Sequence, residues 1–187
     1  MRYIKDKEFI RGNCPMTKEE VRILSISKMN LDSDYVVLDV GAGSGSISIQ
    51  CSKICKNGRV IAIEKDKDAL EVILKNKEKF NCNNLKIIEG EAICVEENVN
   101  EMFDSIFIGG SGGNIESIIE KYSLKLRKNG SMVLNFITIN NVYRAMEVLK
   151  RLNFTVECTQ IAISKTKGKS YMLMANNPIF IVSAIKN

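Results

Sequence analysis

Histidine is absent from this 187-residue chain. That removes the commonest general base and with it every Ser-His-Asp or Cys-His nucleophile arrangement. Any chemistry must rest on carboxylates, lysine, tyrosine, cysteine or a cofactor. No apolar run approaches the roughly 20 residues a membrane helix needs. The start, Met1-Arg2-Tyr3-Ile4-Lys5-Asp6, lacks the apolar core of a secretory signal. There is no repeat, no low-complexity tract and no linker rich in proline and glycine, so the expectation is a single domain over 1–187, long enough to bury a substantial core. Paired CxxC cysteines are missing too. The cysteines at 14, 51, 55, 82, 94 and 158 are spaced wrongly for structural zinc, and no metal is expected. Cys51 and Cys55 fall four apart on one helix face, and the set reads as small buried residues in a reducing compartment, the cytoplasm. A net charge of +5 suits an anionic partner, but the excess is spread along the chain and fits a polycarboxylate small molecule as well as RNA.

What is present is alternation. Tyr35–Val40, Val60–Glu64, Leu85–Glu89, Ser105–Ile108 and Ser131–Ile137 read as buried strands. Helical patterns lie between them, from the glycine loop to Ile54, over Asp66–Phe80 (with Leu70, Ile73 and Leu74 apolar), Asn114–Leu126 and Asn141–Leu152. Such alternation predicts an α/β fold with a mostly parallel sheet covered on both faces. The chain's end departs from it. Phe154–Ser164 and Pro178–Ala184 read as strands with no helix between them, so they must pair antiparallel. A seven-stranded, mostly parallel sheet closed by a C-terminal antiparallel hairpin is the Rossmann-like class I methyltransferase fold; a plain dinucleotide domain continues in parallel. Upstream, Thr17 with Glu20 forms a capping box that predicts a helix to about Met29.

The chemistry-bearing segments sit where these strands end. Asp39-Val40-Gly41-Ala42-Gly43-Ser44-Gly45 is a glycine loop between a strand and a helix. It lets backbone approach a ligand and offers a helix N-terminus, to a pyrophosphate or to the amino-acid end of S-adenosylmethionine; the alternative is a tight structural turn. Glu64 ends the second strand, where an acid accepts both ribose hydroxyls; elsewhere it would be solvated surface. Gly90-Glu91-Ala92 could flank an adenine ring or simply turn into a helix. Gly109-Gly110-Ser111-Gly112-Gly113 follows the fourth strand, where open sheets place ligands, and reads as close backbone approach or a flexible turn. It is not the Asn/Asp-Pro-Pro-aromatic motif of amino-group methyltransferases, and Asn177-Pro178-Ile179-Phe180 reads as strand entry. Lys165, Lys167 and Lys169 form a solvated loop or a lip for carboxylates.

With these residues in place, the chain resembles the decarboxylating precorrin methyltransferases of corrin (vitamin B12) biosynthesis. The segments that carry the resemblance are Phe9-x-Arg11, Pro15-Met16-Thr17-Lys18-x-Glu20-Val21-Arg22, the glycine loop, Gly90-Glu91-Ala92, Phe107-Ile108-Gly109-Gly110-Ser111-Gly112-Gly113-Asn114 and Asn177-Pro178-Ile179-Phe180. It implies methylation of macrocycle carbon 15, with loss of carbon dioxide from the acetate on carbon 12. It also implies S-adenosyl-L-methionine as cofactor, a tetrapyrrole substrate, and a homotetramer with neither nucleic-acid nor membrane partners. Cofactor contacts carry over to Thr17, Gly41, Ala42, Gly43, Ser44, Gly45, Glu64 and Ala92, with Glu91 beside them. Ser44 stands where threonine is common, and Ile93 where many relatives have proline. For substrate carboxylates the candidates are Arg11, Lys18, Arg22 and the backbone of Gly109, Gly110 and Ser111. No general base is assigned; Glu91 and Tyr171 are the conceivable ones. The rivals are the same fold acting on RNA or protein, and a non-catalytic nucleotide-binding module.

Overall fold

The computed structural model of the chain describes residues 2–109 and 113–187. A helix α1 (Glu19–Met29) precedes strand β1 (Val36–Val40), then come α2 (Ser46–Ile54), β2 (Arg59–Glu64), α3 (Lys67–Lys79), β3 (Leu85–Glu89) and a short α4 (Ala92–Val95). The chain continues with β4 (Phe103–Gly109), α5 (Ile115–Ser123), β5 (Leu126–Phe136), α6 (Ile139–Arg151), β6 (Phe154–Ile161), β7 (Ser164–Lys167), β8 (Met172–Ala175) and β9 (Ile179–Lys186). The seven-stranded sheet has the order β3-β2-β1-β4-β5-β9-β6, and β7 pairs with β8 in a separate two-stranded sheet. β9 runs antiparallel to both β5 and β6, as the missing crossover helix requires. Among the described residues, no helix is long and apolar enough to cross a membrane.

Alternation along each strand divides the core between the two sheet faces. Leu38, Ile61, Ile63, Ile106 and Leu134 pack with α5 and α6 residues such as Ile118, Tyr122 and Leu149. Val37, Val60, Ala62, Phe107 and Val133 pack on the other face with Ile26 of α1, Ile47 of α2 and Ile73 of α3. Burying such a side chain contributes about 1.5–3 kcal/mol. Three helical exits use asparagine in the left-handed region, at Asn30, Asn81 and Asn153, where a short polar side chain tolerates that backbone.

Residues ahead of α1 form a strap across the sheet end. Gln50 accepts from the Ile4 amide at 2.8 Å. Asn76, fully buried, accepts from the Ile10 amide at 2.8 Å and donates to the carbonyls of Ile10 and Ser44. The Ser44 amide donates to the Pro15 carbonyl at 3.2 Å, which ties the strap to the glycine loop.

The structure corrects five expectations about the elements. Thr17 is not an N-cap: α1 starts at Glu19, Lys18 holds the cap position without a side-chain bond, and Glu20 pairs with Lys165 instead of reaching back. The strand expected over 154–164 ends at Ile161, and the stretch taken as a lysine loop folds into β7 and β8 around Gly168. The helix expected to Leu126 stops at Ser123, and Leu126 opens β5. Leu74 faces solvent rather than the core.

Candidate active site

The sheet order reverses at β1, between β2 and β4, and open α/β sheets place ligands beyond the strand ends at such a point. A cavity of about 290 Å³ opens there, walled by Gly41, Ala42, Gly43, Glu64, Glu91 and Ala92 among others. Thr17 and Gly109 close its far side.

The glycine loop spends its N–H groups internally. Gly41 and Ala42 donate to the Ile63 carbonyl, Ser44 to Pro15 and Gly45 to Ala42. Gly43 donates to Glu64 Oε2 at 2.6 Å. A pyrophosphate needs free amides at this position, and this loop has none to offer between 41 and 45. Glu64 is buried and takes three backbone bonds, its Oε1 accepting from the amides of Lys65 at 2.7 Å and Asp66 at 2.9 Å. Each carboxylate oxygen has two acceptor sites, so Oε2 keeps capacity for a further donor. Glu91 meets Lys65 Nζ at 2.7 Å across the cavity mouth. Pro15 also lines the wall, with Asn13 and Cys14, two residues that no motif had singled out.

Ser44 and Gly45, expected as cofactor contacts, do not reach this wall. Ser44 is buried, and its hydroxyl has no partner among the described residues. Gly45 lies at φ 77° with α3 close above, so that a Cβ there would strike Ile73. Its small size serves the packing of α2 on α3.

Asp39 lies under the loop, with Ser48 of α2 donating to its Oδ2 and no partner at Oδ1 among the described residues. Burial pushes its carboxyl up to about 7, overriding the Ser48 bonds that lower it, while the nearby Glu64 charge pushes the same way. The folded protein therefore holds a proton that the unfolded chain releases near pH 4, and stability falls as pH rises from about 4 to about 7. Asp39→Asn should abolish that slope, gaining on the order of a few kcal/mol at pH 8 and nothing at pH 4. Thermal melts across that range check it; parallel profiles for the two proteins would rule it out.

A second cavity, of about 680 Å³, adjoins the first and shares Pro15, Thr17 and Gly109 with it. Met16, Val21, Phe136, Ile137, Ile163 and Ile179 make it largely apolar. Polar groups come from Lys18, Thr138 and the asparagines 135, 141, 176 and 177. Lys18 and Gly109, two of the candidates for substrate carboxylates, line this cavity. Gly110 and Ser111 lie outside the described residues. Arg11 is exposed, rests on Met16 Sδ at 3.7 Å and walls neither cavity. Arg22 corrects its expectation outright. It is fully buried, donates to the carbonyls of Ile4 at 2.5 Å and Thr17 at 2.8 Å, meets Asp6 at 3.1 Å, and stacks 4.8 Å from the Phe9 ring centre. Its task is to pin the strap, which holds Thr17 at the junction of the cavities. Tyr171, exposed in the turn before β8, walls neither cavity and leaves the list of conceivable bases. Of the cysteines, 51, 55 and 82 are buried as expected, but 94 and 158 are exposed and Cys14 is half-buried. Burial lifts the Cys55 thiol to about 12, an inert thiol. Among the described residues, no cluster of three potential metal ligands occurs.

Strand order, reversal point and paired cavities define a Rossmann-like methyltransferase. Comparison with known proteins narrows this. Residues 8–186 match the family model described as the precorrin methyltransferase domain. A Salmonella typhimurium protein named cobalt-precorrin-6B C(15)-methyltransferase (decarboxylating) is 35% identical over 187 residues, covering 98% of this chain and 96% of the relative. A Sulfolobus acidocaldarius protein, whose name gives the same activity as probable, is 42% identical over 183 residues, covering 96% of this chain and 95% of the relative. The crystal structure of a precorrin-6y C5,15-methyltransferase from Geobacter metallireducens superposes with a TM-score of 0.93 at 37% identity, covering 99% of this chain and 96% of that one. The chain belongs to the precorrin methyltransferase family.

Proposed function

We propose that this protein methylates carbon 15 of a precorrin or cobalt-precorrin macrocycle and removes the carboxyl of the carbon-12 acetate as carbon dioxide, in cobalamin biosynthesis. The junction of the two cavities carries the reading. The smaller cavity has an acidic acceptor, Glu64, and a glycine loop whose amides are already spent. That combination suits ribose hydroxyls and the cationic end of S-adenosyl-L-methionine, and it offers a pyrophosphate little. When bound, this cofactor supplies a sulfonium methyl that an electron-rich ring carbon takes directly. The larger apolar cavity fits a macrocycle, with Thr17 and Gly109 at the shared wall keeping the two reactants within reach. Lys18 at its edge stands to hold a substrate carboxylate.

Incubation with the tetrapyrrole and labelled S-adenosyl-L-methionine, followed by mass, should show gain of a methyl and loss of carbon dioxide. Calorimetry with S-adenosylhomocysteine against NAD should show micromolar binding of the first alone. Tight NAD binding would favour a nucleotide-binding module, and turnover of RNA or protein with the tetrapyrrole left untouched would favour the other rival.

The reading includes a homotetramer of whole 1–187 domains in the cytoplasm. Support for self-association comes from the small sheet, where Tyr171, Met172, Leu173 and Met174 are all exposed. An isolated two-stranded hairpin is marginal in water, and both faces of β8 are apolar, so the hairpin gains most by packing on copies of itself. Sedimentation should give four times the 21.0 kDa chain mass. Leu173→Glu, at a position 67% exposed, should reduce it to smaller species without unfolding the subunit. A wild-type monomer at micromolar concentration would end this part of the reading.

A further inference from the structure

Asn135 lies one residue before the end of β5, paired in register with Gly109 of β4. That register puts it beside the junction of the two cavities, and it walls the larger one. Its side chain is half-buried, and its hydrogen bonds to described residues all go to one group, the hydroxyl of Ser25 on α1. Ser25 is fully buried. Ser25 Oγ lies 2.8 Å from the Val21 carbonyl oxygen and 3.1 Å from Asn135 Oδ1, and a serine hydroxyl has one proton, which goes to the nearer of the two, the Val21 carbonyl. The oxygen of Ser25 is left as an acceptor, and Asn135 Nδ2 donates to it at 3.0 Å. The carboxamide is thereby anchored on Ser25, with its Oδ1 also 3.1 Å from the same hydroxyl oxygen. One N–H is held by Ser25 and the second remains for the cavity.

We propose that Asn135 is a substrate-positioning residue, its second amide N–H donating to a carboxylate of the macrocycle beside the cofactor junction. The inference rests on the tetrapyrrole reading above. A carboxylate carried into an apolar chamber must recover hydrogen bonds lost from water. Among the described wall residues the only cation is Lys18, which is exposed at the edge. Near Gly109 that recovery falls to a neutral donor, and Asn135 is held in place for it by a buried partner. A neutral donor orients a carboxylate without locking it in an ion pair, which suits a group that must be released with the product.

Three variants test this: Asn135→Ala, Asn135→Asp and Ser25→Ala. Asn135→Ala should lower kcat/KM for the tetrapyrrole roughly tenfold, mainly through KM. Asn135→Asp should lower it further, because a carboxylate then faces a carboxylate. Ser25→Ala should give a smaller rise in the same KM, by freeing the amide to rotate. The affinity for S-adenosylhomocysteine should stay at the wild-type value in all three. Equal activity of the alanine and aspartate variants, or full wild-type activity in either, overturns the proposal. So does a matching loss of cofactor affinity, which marks a packing role. A wild-type enzyme that binds no tetrapyrrole overturns the substrate reading itself, a result distinct from intact turnover with silent Asn135 variants.

Discussion

Glu64→Ala should lower the affinity for S-adenosylhomocysteine by roughly 1–3 kcal/mol, the worth of a charge-assisted hydrogen bond and its desolvated partners. The carboxylate already accepts from the amides of Gly43, Lys65 and Asp66, so its removal leaves three backbone donors without their partner as well as taking away the proposed ribose acceptor. Gly43 then loses the bond that aims the loop, and part of the loss will be preorganisation rather than contact. Glu64→Gln separates the two. The amide keeps one acceptor oxygen but presents N–H groups toward backbone N–H groups, so it should restore little. Asp39→Asn, one strand away beneath the same loop, serves as a control whose effect is on stability against pH. Unchanged calorimetric affinity in Glu64→Ala would remove this residue from the cofactor site.

Much of this was legible in the sequence because it follows from period and position. Alternation of β-branched runs with helical patterns gives the parallel sheet, and the missing helix after Phe154 gives the antiparallel β9. Strand ends locate Gly41, Glu64, Ala92 and Gly109, since ligands of open sheets gather there. Arg22 was misread by residue type, although its spacing carried the correct signal: with Ser25, Ile26 and Met29 it falls on the buried face of α1. A charged residue on an apolar stripe is a network residue before it is a ligand. Asn135 was legible by the rule that located Gly109, as a polar residue at a strand's carboxyl end. β7 and β8 were not, because their residues are exposed on both faces and show no burial pattern to read. Internal consumption of the loop amides was also beyond reach, since it depends on contacts distant in sequence, with Ile63 and Glu64 on the next strand and, for Ser44, with Pro15, 29 residues away.

That contact with Pro15 makes Gly43 the most sensitive position at the site. Gly43→Ala should abolish measurable cofactor binding while leaving a folded chain. The residue sits at φ 56°, and a Cβ there would lie 2.7 Å from the Pro15 carbonyl oxygen. The left-handed backbone alone costs an alanine about 1 kcal/mol. Gly168→Ala isolates that term, because it shares the positive φ, at 73°, but meets nothing within 4 Å. The difference between the two variants is then the cost of the clash. It cannot be relieved by a side-chain rotation, since the obstruction is backbone held by its bond to the Ser44 amide. Either the loop drops, breaking the Gly43 bond to Glu64, or the strap lifts and carries Pro15 and Thr17 off the wall common to both cavities. Both routes damage the junction where methyl donor and ring carbon must meet. Melting temperature and cofactor titration on the two variants check this. A Gly43→Ala protein that binds S-adenosylhomocysteine as tightly as Gly168→Ala would show that the strap is not a fixed part of the site.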